Sequence, residues 1–314
     1  MPRSLLVVGS IALDSIRSPH GEAEEVLGGS AVYFSVAASL FAPVRLVGVV
    51  GEDFPDEHHR LLSQRPIETD GLAIVEGGRT FRWRGYYKEN MNERVTEDVQ
   101  LNVFGDFRPV IPEPWRQSDL VFLANGSPVT QMAVLEQVER PALTVADTMN
   151  LWIETARDDL DALLRRIDGL VLNDEEAEML TGETDLEKAE DRLLEMGPSF
   201  IILKLGSEGA RIAGRAPGAP GAAGPEVLKM AMPAFRHGEV RDPTGAGDSF
   251  AGGMMGYLAG LDRDATLQDL PAALKVGTVT ASFTIEDFGV ASLADLTLDE
   301  FERRLAAYDE SLSA

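Results

Sequence analysis

The chain has 314 residues, 44% hydrophobic and 25% charged, the balance of a globular protein long enough to bury a substantial core. Its 52 acidic against 28 basic residues give a formal charge of −24, which argues against sequence-independent binding to nucleic acid or an anionic membrane, though not against a small anion held by local positive groups. With no cysteine, disulfides and thiolate chemistry are excluded.

The stretch SLLVVG has only a short apolar run before Gly9, too brief for a signal peptide and suited to a buried first strand. No run approaches the roughly eighteen apolar residues of a membrane span, so a cytoplasmic protein is expected. Further apolar runs follow at VRLVGVVG, DLVFLANG, LTVADTMN, GLVLNDEE and FIILKLG, with helices predicted at 30–40, 129–139, 154–166, 174–180 and 186–196. This alternation predicts an α/β fold, a mostly parallel sheet covered on both faces. Two segments depart from it. Residues 79–104 alternate with period two, placing Phe81, Trp83 and Tyr87 on one face and Arg82, Arg84 and Tyr86 on the other. Residues 14–28 read as a shorter companion. The stretch GRAPGAPGAAGP (214–225) is expected to be an exposed loop between two strands. No repeat or linker divides the chain, so one domain over 1–314 is expected.

In an open parallel sheet, ligands bind beyond the carboxyl ends of the strands. The runs deliver Asp14, Asn125, Asp147, Asn150, Asn173, Glu176, Lys204 and Gly206 there. At any one site, capping of the next helix weighs about as much as ligand binding. Convergence of several predicts a polar cleft suited to hydroxyls and a hydrated cation.

The stretch RDPTGAGDSFAGG (241–253) places Gly245, Ala246 and Gly247 at the mouth of an apolar helix, with Asp248 in its first turn. A helix start offers free N–H groups and a positive dipole end, and glycine lets an anion approach the backbone. Gly252, Gly253 and Gly256 lie inside that helix, where each costs roughly 1 kcal/mol relative to Ala, so close approach of another backbone or of a ligand is expected there. An anion hole beside a carboxylate suits phosphoryl transfer to a hydroxyl, with Asp248 accepting the proton. Neither G-x-x-x-x-G-K-[ST] nor a G-x-G-x-x-G turn occurs, and His20, His58, His59 and His237 fit no metal spacing.

These residues resemble the ribokinase-like (PfkB) carbohydrate kinase family. DPTGAGDSFAGG is similar to its carboxy-terminal signature, GGSAVYFSVAASL (28–40) to its amino-terminal one, and VGVVGEDFP to the segment after it. NDEE (173–176) and KLGSEG (204–209) match its N-x-x-E and its nucleotide-side turn, and the likeness runs from Gly9 to about Gly289. The resemblance implies a ribokinase-like three-layer α/β/α sandwich with a mostly parallel central sheet and a small β-sheet lid formed by about 14–28 and 79–106. It implies transfer of the ATP γ-phosphate to a hydroxyl, usually a hydroxymethyl, of a sugar or sugar-like acceptor, with a nucleoside kinase as the alternative and a non-catalytic ligand-binding member a weaker one.

By position, the resemblance makes Asp248 the base and the Gly245, Ala246 and Gly247 amides the anion hole. Asn173 and Glu176 would organise Mg²⁺ and phosphates, Glu176 through water. Thr244, Lys204, Gly206, Ser207 and Gly209 would lie along the nucleotide, and Asp14, Gly28, Gly29, Ser30, Tyr33 and Asn150 would hold the acceptor. Asp242 matches a position that helps some members bind a monovalent cation such as K⁺. Tyr33 stands where the family usually has Asn, and a shorter Ser30 where a longer polar residue is frequent, which points to a ring-bearing or bulkier acceptor. The lid would exclude water, and its aromatics would face the substrate or the lid of a second subunit in a homodimer.

Overall fold

In a computed structural model, which describes residues 3–91, 93–216 and 226–313, Leu5–Val8 (β1) is buried at every position, as a strand covered on both faces must be. The chain then leaves the main sheet for the hairpin Ala12–Ser18 (β2) and Gly21–Gly28 (β3), and returns through the helix Ser30–Ala38 (α1) to Val44–Gly51 (β4). The helix Asp56–Ser63 (α2) leads to Ile67–Val75 (β5). A second excursion, Phe81–Tyr87 (β6) and Arg94–Gln100 (β7), precedes Leu120–Leu123 (β8). Strand and helix then alternate as the apolar runs predict: Pro128–Leu135 (α3), Leu143–Asp147 (β9), Asn150–Thr155 (α4), Arg157–Leu164 (α5), Gly169–Asn173 (β10), Asp174–Thr181 (α6), Leu186–Glu195 (α7) and Phe200–Lys204 (β11). Ala210–Ala216 (β12) and Glu226–Met232 (β13) follow, then the helices Ala246–Gly260 (α8), Leu270–Thr284 (α9), Ala291–Ala294 (α10) and Leu298–Ser313 (α11).

Among the described residues the strands form a nine-stranded sheet, ordered β13-β12-β11-β10-β9-β8-β1-β4-β5, and a four-stranded one, ordered β3-β2-β6-β7. The large sheet is parallel from β11 to β5 and antiparallel at β12 and β13. Alternate side chains of β1 enter opposite cores: Leu5 and Val7 belong to the core shared with α1, α8 and α9, whereas Leu6 and Val8 belong to the one shared with α5, α6 and α7. Helix, sheet and helix therefore make the three layers that the resemblance implies. The small sheet is the lid, and it begins two residues earlier than expected, at Ala12.

β5 carries no prediction because the apolar run of its sequence, IETDGLAIV, is confined to LAIV and follows Glu68, Asp70 and Gly71. It is an edge strand with half its positions exposed. Residues 214–216 of the expected loop instead extend β12, and the remainder, 217–225, lies outside the described residues. The glycines inside α8 are explained by helix packing. A Cβ at Gly252 would come within 2.4 Å of the Phe34 carbonyl oxygen of α1, and one at Gly253 within 2.3 Å of Thr280 on α9. No helix of the described residues is long and apolar enough to cross a membrane.

Candidate active site

The carboxyl ends of β1 and β8, the lid, and the mouth of α8 enclose a cavity of 690 Å³. Asp14 reaches it from β2, only 4% exposed. Its carboxylate lies so close to Gly28 that a Cβ there would meet Oδ2 at 2.0 Å, so this position requires glycine. Burial, then the neighbouring Asp242, push Asp14 up to about 7. Gly29 and Ser30 line the cavity beside it, with Ser30 Oγ 3.0 Å from Ser10 Oγ, whereas Gly28 backs the carboxylate from behind.

Gly245 caps α8 with φ +73, a left-handed conformation suited to glycine, and the Tyr33 ring lies flat against it. Tyr33 is buried, and its hydroxyl has no hydrogen-bond partner among the described residues. No side chain caps the helix, so the first-turn amides keep their donors. The Ala246 N–H donates to the Pro243 carbonyl oxygen at 3.2 Å, so among the described residues the amides of Gly245, Gly247 and Asp248 are the ones of this turn left without a backbone partner. Asp248 is half-buried at the cavity edge, and burial followed by the charge of Asp147 pushes it up to about 7 against the pull of Lys204 and Arg94.

Across the helix mouth, the Lys204 ammonium lies 3.3 Å from Asp147 Oδ1 and 3.2 Å from where a Cβ of Gly247 would stand. Burial works to deprotonate it, but Asp147, Glu176 and Asp248 outweigh that and hold its pKa above the ordinary lysine value. Asn173 and Glu176 form a reciprocal cap on α6: Asn173 Oδ1 accepts from the Glu176 N–H and Glu176 Oε2 from the Asn173 N–H, both at 2.8 Å. The capping reading of N-x-x-E is thus realised, yet it uses one oxygen of each side chain and leaves Asn173 Nδ2 and Glu176 Oε1 without a bond among the described residues. Glu176 is 5% exposed, and burial raises it to about 7. Gly206, Ser207 and Gly209 form the turn after β11. They, Asn173, Glu176 and Lys204 all lie outside the cavity lining, on the other side of the α8 mouth. Thr244 borders the cavity. Asp242 is fully buried and staples backbone: Oδ1 accepts from the Thr244 N–H at 2.9 Å and Oδ2 from the Gly289 N–H at 3.3 Å.

Asn150 does not line the cavity. It opens α4, while Met149, Leu151 and Trp152 turn inward. The amide that does line it is Asn125, whose Oδ1 accepts from Trp152 Nε1 at 3.1 Å. The far wall is aromatic: Phe81 and Trp83 from the lid, Phe104 and Phe107 from the segment after it, and Trp152. Phe104, Phe107 and Arg108 are cavity residues that the sequence reading missed. The aromatic spacing after β7 was their only signal.

Comparison with known proteins places residues 3–296 under the profile of the pfkB family carbohydrate kinases. A cytidine kinase of Thermococcus kodakarensis is 27% identical over 91% of this chain and 97% of its own length. The crystal structure of a Methanocaldococcus jannaschii nucleoside kinase superposes with a TM-score of 0.75 at 22% identity, covering 97% of this chain and 98% of that one. A candidate ribokinase II of E. coli, solved with ATP and Mg²⁺, gives 0.76 at 18% identity, covering 97% and 99%. The two superpositions show a shared fold.

Proposed function

The chain belongs to the pfkB family of carbohydrate kinases, and on that footing we propose that it is an ATP-dependent nucleoside kinase, transferring the γ-phosphate to the hydroxymethyl group of a ribose-like ring. One observation carries the choice of acceptor. The cavity joins a polar end, holding Asp14 and Asp248, to an apolar wall of five aromatic rings, Phe81, Trp83, Phe104, Phe107 and Trp152. A free sugar offers one small C–H face and would leave most of that wall of five rings uncovered, while a nucleobase adds a π face and apolar area. The cytidine kinase from Thermococcus supports the same choice. A sugar is the second reading, favoured by the breadth of the family and by a fructokinase of Klebsiella pneumoniae, 25% identical over 82% of this chain.

In this reading Asp14, with both oxygens acceptors once ionised, holds two ring hydroxyls, and the hydroxymethyl oxygen lies before Asp248. Asp248 takes the hydroxyl proton as the oxygen attacks phosphorus. The free amides of Gly245, Gly247 and Asp248 steady the migrating group without reorganising, and the Lys204 ammonium at the same helix mouth adds fixed positive charge. The unbonded Glu176 Oε1, in a carboxylate already fixed by its cap, fits a water of a hydrated divalent cation. Magnesium would supply neutralisation of the β- and γ-phosphate charge. Gly206, Ser207 and Gly209 would lie along the nucleotide, the first two exposed until it binds. We also propose a monovalent cation beside Asp242, tested by turnover in K⁺ against Na⁺, and self-association through the lid, tested by sedimentation.

The deciding experiment is an acceptor panel with coupled ADP detection, comparing ribonucleosides, free pentoses and hexoses, and sugar acids. The highest kcat/KM is expected with a ribonucleoside. Turnover confined to free sugars would reverse the choice of acceptor, and no ATP-dependent turnover with any acceptor would remove the kinase reading.

A further inference from the structure

Positive charge on the lid is almost entirely paired. Arg17 meets Glu97 at 3.2 Å, Arg82 meets both Glu25 and Asp53 at 2.8 Å, Arg84 meets Glu24 at 3.6 Å, and Lys88 is bonded to Glu93. Arg94, the first residue of β7, is the exception among the described lid arginines and lysines. It is exposed, and no carboxylate lies within ion-pair distance. Its guanidinium sits 5.4 Å over the Trp83 ring, and both residues line the cavity that also holds Asp14, Gly245 and Asp248. Stacking on an aromatic face holds the plane of the guanidinium while leaving its N–H edge free to donate. The second cavity cation, Arg108, donates instead to the Phe107 carbonyl oxygen, by the aromatic wall.

A chain of charge −24 that keeps one lid cation unpaired, opposite two carboxylates, has left it for an anion that arrives later. The phosphotransfer reading supplies one at that place. As the acceptor oxygen bonds to the γ-phosphorus, the bond from phosphorus to the β,γ-bridging oxygen breaks. ADP departs with that oxygen, and the hydroxyl proton passes to Asp248. Charge resides throughout on the three equatorial oxygens of the moving group. Amides and Lys204 meet those oxygens from the α8 side, which leaves the lid side open.

We propose that Arg94 is a catalytic residue carried by the lid, donating from its guanidinium to the equatorial oxygens of the phosphoryl group in flight. The proposal rests on the kinase reading above. The same charge already draws Asp14 and Asp248 toward their ionised forms. It also ties chemistry to acceptor binding, because the arginine and Trp83 stand on the sheet that covers the acceptor.

The test compares the parent with Arg94→Met, Arg94→Lys and, as control, Arg84→Met. Arg84 lies on the same sheet but outside the cavity. Four quantities are read: kcat and KM on the best acceptor, acceptor affinity by calorimetry, and the gain in ADP affinity on adding aluminium fluoride, which mimics the planar phosphoryl. Arg94→Met is expected to lower kcat about 100- to 1000-fold, as loss of a charged transition-state donor does, with acceptor KM and affinity within about threefold. The aluminium fluoride gain should vanish while ADP alone binds as before. Arg94→Lys should recover part of kcat, and Arg84→Met should match the parent. An Arg94→Met enzyme with kcat within about threefold of an active parent overturns the role, as does a loss confined to acceptor KM and affinity, which would make Arg94 an acceptor contact. A parent with no turnover and no aluminium fluoride gain overturns the kinase reading instead.

Discussion

Asp248→Asn separates what this carboxylate does for chemistry from what it costs the fold. The substitution keeps size and removes the proton acceptor, so kcat should fall by about 100- to 10,000-fold, the usual contribution of a general base. Stability should move the other way. Burial and Asp147 hold Asp248 near 7, whereas an unfolded aspartate titrates near 4. At about 1.4 kcal/mol per tenfold change in acidity, the ceiling on the cost of keeping it ionised at pH 8 is ~4 kcal/mol. Asp248 is half-buried at an open cavity and shares its field with Lys204 and Asp147, so about half that ceiling is expected, or roughly 2 kcal/mol. The pH dependence follows from a folded value raised above the unfolded one: the favourable contribution is complete below about pH 4 and is lost as pH rises through about 7. The variant should therefore match the parent in Tm near pH 4 and exceed it by roughly 3 to 5 °C at pH 8. Calorimetric melts across pH, paired with coupled ADP assays, read both effects. Normal turnover in Asp248→Asn refutes the base, and a Tm that falls at pH 8 refutes the burial account.

The same acidities predict a pH–rate profile: kcat/KM of the parent should fall below about pH 7, not below 4, approaching about hundredfold per pH unit because Asp14 and Asp248 must both be ionised; a flat profile from pH 5 to 8 contradicts this. Gly28→Ala places a Cβ 2.0 Å from Asp14 Oδ2 and should weaken acceptor binding by tenfold or more by calorimetry, with ATP binding unchanged. Gly252→Ala drives a Cβ to within 2.4 Å of the Phe34 carbonyl and should destabilise the fold by roughly 2 to 4 kcal/mol in chemical denaturation. Lys204→Met leaves Asp147 and Glu176 without their shared cation, so ATP turnover should fall at least tenfold and the acid limb of the profile should move to higher pH.

Several features were legible along the chain because they are local. Apolar runs mark the buried parallel strands, period two marks the lid, and a glycine turn before an apolar helix marks the α8 mouth. The edge strand β5 was hidden because Glu68, Asp70 and Gly71 interrupt its first half, and at the sheet edge its apolar Ile74 and Val75 stay exposed instead of marking a buried strand. The choice between Asn125 and Asn150 was equally hidden: both follow strands and both following segments border the cavity, but of the two only Asn125 lines it, while Met149 and Leu151 line it on either side of Asn150. Even within the glycine turn, the loss of the Ala246 donor to Pro243 depends on how the loop folds back.

Spacing in the chain thus determined the turns, caps and periodicities, and with them the fold class and the kind of chemistry, since those rest on interactions between residues a few positions apart. Which side chains share the cavity was decided only when strand order brought β1, β8, the lid and α8 together. Asp14, Trp83, Asn125 and Asp248 are separated by tens to hundreds of residues, and packing of the layers, not local preference, sets their distances. The unpaired Arg94 has the same origin, because a free charge becomes visible only once every other lid cation has found its partner in space.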